Sequence, residues 1–309
     1  MRTVQILAPA FFILAAACAV AAPAAPSVPT SVPRPIEIRE ARGAGLLLRV
    51  WLQGRGPFTF ALDTGAGCNI VTSRTALAAN LEALSATVPV QGVSGSKIVA
   101  HTAEAATFAA GSRDNVLPST STLLVADTLP DGVDGLIDPS IVLWPLGFEI
   151  DMQRGTLTAF DPLRSPIDGA RVPEGGGVVR WDAVDETRRP WVKVGPGRFA
   201  LVDTGSQLGF AVGSRDAERF GVIALHAGDA ERAVDSGGGV FRTRRATTPT
   251  LHVGSMELRN VPTNIVESGD AHAPILLGRE ALRPFAIAFD PRARLIRFAP
   301  YQRDEPVSE

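Results

Sequence analysis

Two carboxylates stand in nearly the same local sequence 140 residues apart: Phe60-Ala61-Leu62-Asp63-Thr64-Gly65 recurs as Phe199-Ala200-Leu201-Val202-Asp203-Thr204-Gly205. Apolar residues precede each Asp, and a small residue, Ala66 or Ser206, follows each Gly. A strand ending in Asp, with Gly two residues on, turns sharply and delivers a carboxylate from an apolar interior to an exposed cleft. One Asp-Thr-Gly alone is compatible with an ordinary turn. Two at equivalent points of a duplicated unit imply more, because pseudo-two-fold packing of the halves brings the carboxylates face to face. Two carboxylates about 3 Å apart cannot both ionise, so the pair holds one proton and offers an acid and a base together. Its ionised member takes a proton from a bridging water while the protonated member donates to a carbonyl oxygen, giving a tetrahedral diol with no covalent intermediate. Such a pair titrates jointly.

The elements that must position these residues are short. Apolar runs at 46–51, 58–62, 69–71, 97–100, 123–125 and 148–150, separated by Gly, Pro, Asp and Ser, predict the strands of a mainly β protein. Helical signals cover only 73–84 and 214–220, each opening on a serine, Ser73 or Ser214, suited to capping the first turn. A second echo, Phe148-Glu149-Ile150-Asp151 and Ile287-Ala288-Phe289-Asp290, displaced by 139, supports an internal duplication. Residues 163–177, with Pro166, Pro173 and three successive glycines, read as a linker. The lobes then run from 36 to 162 and from 178 to 300, followed by a tail at 301–309. Each lobe supplies half of one site, so neither should work alone and the chain is expected as a monomer with an intramolecular pseudo-dimer.

The 309-residue length suits two domains, and 45% hydrophobic against 20% charged residues is globular composition. Thirty basic against 32 acidic residues leave a net charge of −2, which excludes the polycationic surface that nucleic acid requires. Arg2 before an apolar run from Ile6 to Ala22, too short to span a bilayer, predicts a secretory signal peptide at 1–22. An N-terminal membrane anchor is the alternative. Leu14-Ala15-Ala16-Ala17-Cys18 resembles a bacterial lipoprotein cleavage site, which would tether the chain through a lipidated Cys18. The expected location is the periplasm or the exterior. A Pro- and Ala-rich spacer follows at 23–35, and with Cys18 removed or modified, Cys68 has no partner for an intramolecular disulfide.

At the paired Asp-Thr-Gly loops the sequence resembles the pepsin and retropepsin superfamily of aspartic peptidases, in a bacterial tandem retropepsin-like form. Further segments carry the resemblance. Asp131-Gly132-Val133-Asp134-Gly135-Leu136-Ile137-Asp138-Pro139-Ser140-Ile141 is similar to the apolar-apolar-Gly segment that threads behind a catalytic loop. Ile275-Leu276-Leu277-Gly278, Leu282-Arg283, Ala288-Phe289-Asp290 and Phe298-Ala299-Pro300 resemble the closing stretch of pepsin-like enzymes. The resemblance implies a bilobal acid-protease fold, an Asp63–Asp203 dyad hydrolysing peptide bonds of a polypeptide substrate, and no cofactor or metal. It also implies hydroxyl cross-links between the loops through Thr64 and Thr204, with Gly65 and Gly205 permitting close approach. A flap is expected after each Asp, at Gln91-Gly92-Val93-Ser94-Gly95-Ser96 and at Asp235-Ser236-Gly237-Gly238-Gly239, both with hairpin-tip chemistry. Gly92, Val93, Ser94, Gly95, Gly237 and Gly238 are the candidate substrate-binding positions.

The chain departs from that pattern in three places. Asp134 stands where an aliphatic residue is usual, and a carboxylate tucked behind the active loop must be paired or protonated. The only tyrosine, Tyr301, lies near the C-terminus and not on a flap. Ala66 against Ser206 makes the two Asp environments unequal. A catalytically silent peptide-binding or scaffold protein that retains the fold is the rival reading. Other constellations are weaker. Ser94-Gly95-Ser96-Lys97 matches the Ser-x-x-Lys of penicillin-interacting enzymes, but it lies among glycines before a β-like run and no Lys-Thr-Gly follows. His101, His226, His252 and His272 are scattered without metal-ligand spacing. Cys68 is expected to pack beside the Asp loop, and Arg242, Arg244 and Arg245 to form a solvated hairpin edge.

Overall fold

The computed structural model describes residues 31–302, apart from 93–95, 120, 185–186, 226–229, 235–238 and 268–273. The signal segment, Cys18 and most of the spacer therefore lie outside the described residues. Each apolar run singled out above falls within a strand: Gly45–Leu52, Arg55–Leu62, Asn69–Val71, Lys97–Ala105, Ser121–Val125 and Gly147–Asp151. The protein is mainly β, 51% strand against 10% helix.

Its strands form three sheets. Nine strands between Arg39 and Ile137 make one, and eight between Trp191 and Gly278 make another. The third has six strands in the order Ile36–Glu37, Thr156–Phe160, Gly147–Asp151, Phe285–Asp290, Leu295–Pro300 and Gly177–Arg180, three from each half of the chain. At its centre the two echo segments meet antiparallel, with Phe148 opposite Phe289 and Ile150 opposite Ile287. The Phe148 and Phe289 rings stack at 4.8 Å, fully buried. The duplicated segments thus contact one another as symmetry mates would. Tyr301 ties down the end of the interior strand Gly147–Asp151: its hydroxyl donates to Asp151 Oδ1 at 2.8 Å and accepts from Gln153 N at 3.2 Å.

The duplication extends to strand register. In the first half Gly135–Ile137 lies parallel to Arg55–Leu62 and antiparallel to Asn69–Val71. In the second, Ile275–Gly278 lies parallel to Arg198–Asp203 and antiparallel to Phe210–Gly213. Gly135 faces Phe60, and a Cβ on it would strike that ring and the Ile70 carbonyl. The equivalent pair inverts the sizes, with Ile275 facing Ala200. One large and one small side chain fill the same space in each lobe, as close packing demands.

The first helix is shorter than the sequence suggests, and the second fills its expected span with the help of a 3-10 turn. The first runs only Ser73–Ala78, because Asn80 adopts φ 54° and the chain re-enters a strand at Glu82. Its cap is Thr72, whose side chain accepts from Thr75 N, while Ser73 instead bonds to Asp127 through both its amide and its hydroxyl. The second is Ser214–Ala217 continued by a 3-10 turn, Glu218–Phe220. It follows Gly213 with no side-chain cap, so neither serine caps as expected.

Candidate active site

Both Asp-Thr-Gly turns fall at strand ends and meet at the junction of the lobes. Asp63 Oδ1 accepts from Gly65 N at 2.7 Å, and Asp203 Oδ1 accepts from Ser206 N at 2.9 Å. The remaining oxygens, Asp63 Oδ2 and Asp203 Oδ2, are buried with no hydrogen-bond donor to serve them. The two carboxyls are close enough for each to alter the other's proton affinity. Gly65 and Gly205 permit this approach. A Cβ on Gly65 would lie 2.8 Å from Asp203 Cγ, and one on Gly205 would overlap the Asp63 carboxyl. The loop chemistry places the carboxylates at an exposed cleft, whereas in the structure both are fully buried, each beneath the other loop's glycine.

The loops also grip each other through their threonines. Thr64 Oγ1 donates to Val202 O at 2.6 Å and accepts from Thr204 N at 3.1 Å. Thr204 Oγ1 accepts from Thr64 N at 3.1 Å and reaches Leu62 O at 3.5 Å, the limit for a hydrogen bond.

Behind the loops the halves differ. Arg279, only 3% exposed, donates through Nη1 to Thr204 O at 2.7 Å and Gly205 O at 2.8 Å. Glu40 reaches it from the other lobe at 3.4 Å and holds Arg283 through both carboxylate oxygens, at 3.0 and 2.9 Å. Behind Asp63 the charges are exchanged. A fully buried carboxylate, Asp138, accepts from Gly67 N at 2.9 Å and Ser140 N at 2.8 Å, while Arg189 from the second half packs over Gly67.

Asp138 is therefore the buried carboxylate behind the active loop; Asp134 is paired, as a carboxylate there would have to be, but it lies at a partly exposed position and not behind the loop. The Asp134 side chain is 22% exposed, accepts from Thr59 N at 2.9 Å and pairs with Arg74 at 3.2 Å. The signal for Asp138 was present in the repeat: the 140-residue offset carries Gly278 onto position 138.

Burial raises Asp63 well above the ordinary carboxylate range, with Asp203 and then Asp138 adding repulsion against the Gly65 amide. Asp203 is also raised by burial, but the Ser206 amide, Asp63 and the Arg279 charge oppose the shift. The two titrate as a pair, with Asp138 on the Asp63 side and the Arg279 guanidinium on the Asp203 side. Burial pushes Asp138 up to about 7 against its two amide donors and the Arg189 charge.

Of the flap candidates, Val93, Ser94, Gly95, Gly237 and Gly238 lie outside the described residues. Their flanks are hairpins. Glu82–Gln91 pairs with Lys97–Ala105, closed by Gly92 N donating to Ser96 O at 2.9 Å, and Glu231–Val234 pairs with Val240–Val253. Lys97 begins a strand, which removes the helical setting that Ser-x-x-Lys chemistry needs. Cys68 packs with Ile70, Val90 and Leu124. Arg244 and Arg245 pair with Glu267 and Glu280, so two of the three arginines of the basic run are held by partners.

No curated protein matches the sequence significantly. A family model described as aspartyl protease matches the chain twice, over 48–137 and 196–281, so that each match holds one Asp-Thr-Gly and the strand threaded behind it. With a match in each lobe and more than half its length covered, the chain belongs to the retropepsin-like aspartyl protease family.

Proposed function

We propose that the protein is an aspartic endopeptidase in which Asp63 and Asp203 form one catalytic dyad. The observation that carries this reading is the pair of buried carboxyls, each packed against the other loop's glycine and each with an Oδ2 that has no hydrogen-bond partner. In a packed interior such atoms are costly unless a proton or a water joins them. Asp203, beside Arg279, is the base that takes a proton from the water. Asp63 holds the proton and donates it to the carbonyl oxygen of the scissile bond. The substrate, an extended polypeptide, adds as a strand alongside the flap backbone. Export, read from Arg2 and the apolar run after it, forms part of this proposal.

Asp63→Asn and Asp203→Asn each remove one titrating member and keep its shape. Both variants should retain the circular dichroism of the parent and lose peptide cleavage by at least about a thousandfold. Full activity in either refutes the dyad. The silent-scaffold reading is tested by a statine-type transition-state mimic, which a scaffold has no reason to prefer over the peptide. The enzyme should bind it tightly, and Asp203→Asn should abolish that binding.

A further inference from the structure

The two catalytic loops are supported by different chemistry at one equivalent position. Behind Asp203 the position is Gly278, and the space is taken by backbone and by the Ser206 hydroxyl, which accepts from Leu208 N at 3.2 Å. A Cβ at 278 would strike the Leu208 carbonyl and come within 2.9 Å of Ser206 Oγ. Behind Asp63 both residues change together. Ala66 has no hydroxyl, and the Asp138 carboxyl holds the same turn through Gly67 N. One support is neutral, the other an ionisable acid sealed from solvent. Both Asp138 oxygens are committed as acceptors of backbone N–H, at Gly67 and Ser140, which is the arrangement an ionised carboxylate needs.

We propose that Asp138 is a positioning residue of the dyad: its carboxylate, behind the Asp63 loop where Gly278 and the Ser206 hydroxyl serve the Asp203 loop, keeps the shared proton on Asp63 and leaves Asp203 as the base. The inference rests on the endopeptidase reading above. The charged and titratable groups facing Asp138 are Asp63 in the loop before it and Arg188 and Arg189 from the second half, with the Cys68 thiol buried in the same loop. On the far side of the pseudo-two-fold, Arg279 and Glu40 occupy the corresponding ground. An acid behind one Asp and a guanidinium behind the other polarise the dyad in one direction. As Asp138 ionises around neutrality, with burial its main obstacle, it opposes the loss of the Asp63 proton, and the singly protonated dyad persists to higher pH.

The test compares pH profiles of kcat/KM for the full chain, Asp138→Asn, and the double variant Ala66→Ser with Asp138→Gly, which copies the support of the second lobe. The basic limb should move to lower pH by about one unit in both variants, with unfolding curves near those of the parent. An unchanged limb in a folded variant overturns the proposal. Should the variants fail to fold, neutron diffraction of the parent near pH 8 decides the matter: a proton on Asp63 Oδ2 agrees, and one on Asp203 overturns it. A parent that cleaves no peptide at any pH refutes the endopeptidase reading instead, while the diffraction result still tests where the proton lies.

Discussion

Asp63, Asp138 and Asp203 share a property that is costly at neutral pH, since all three are fully buried and burial is the first cause raising each. Below the ordinary carboxylate value of 3.8 both folded and unfolded chains hold these protons. Above it the unfolded chain releases them and the folded chain does not, so stability falls with rising pH until the folded groups also ionise. For Asp138 that window runs from 3.8 to about 7. Urea unfolding at several pH values should therefore show declining stability across it. Asp138→Asn should flatten the decline by up to about 1.4 kcal/mol per pH unit, the slope due to one proton. Equal slopes in parent and variant would mean that Asp138 is ionised throughout. The Asp pair was legible in the sequence because its apolar approach repeats. Asp138 was harder to see because Asp134, four residues earlier, draws the eye as the charged misfit. The register of Gly135 on Phe60 and Ile275 on Ala200 agrees with the 140-residue offset that makes position 138 the counterpart of 278.

Among the elements, the two turns are joined by an exchange that is symmetric in kind and unequal in strength. Removing the Thr64 hydroxyl deprives both Thr204 N and Val202 O of partners at 3.1 and 2.6 Å. Removing that of Thr204 deprives only Thr64 N of a good one, since the reach to Leu62 O is 3.5 Å. Valine keeps the shape at either site. Thr64→Val should cost roughly 2–4 kcal/mol and Thr204→Val roughly 1–2 kcal/mol, because orphaned buried groups lose their full desolvation energy. Chemical denaturation measures both, and the reverse order would show that the described asymmetry does not govern the grip. The strands were legible because each is a short apolar run between turn residues. The first helix ends at Ala78 although helix-compatible residues continue, because Asn80 turns left-handed and the hairpin claims the chain from Glu82. Tertiary pairing outweighed local propensity there.

For the whole molecule, the duplication raises the question of why two like halves pair with each other and not each with itself. The shared sheet offers no discrimination, since Phe148 and Ile150 meet Phe289 and Ile287 across it and either segment could meet its own copy. The latches behind the loops do discriminate. Glu40 of the first half meets Arg279 of the second, and Arg189 of the second lies by Asp138 of the first. In a pair of first halves, Glu40 would face Pro139, the counterpart of Arg279, and Asp138 would lose its guanidinium. In a pair of second halves, Arg279 would stay buried without Glu40. An uncompensated buried charge typically costs about 3–5 kcal/mol, enough to set pairing. Residues 31–165 and 166–302 produced separately should therefore each be inactive and prone to association along the exposed central strands of the third sheet. Mixed during refolding, they should recover peptide cleavage that depends on the concentration of both. Reversing one latch, with Glu40→Arg on the first piece, should abolish that recovery, and Arg283→Glu on the second, which leaves Arg279 on the Thr204 and Gly205 carbonyls, should restore part of it. Cleavage by either piece alone would show that the charge exchange plays no part in holding the dyad together.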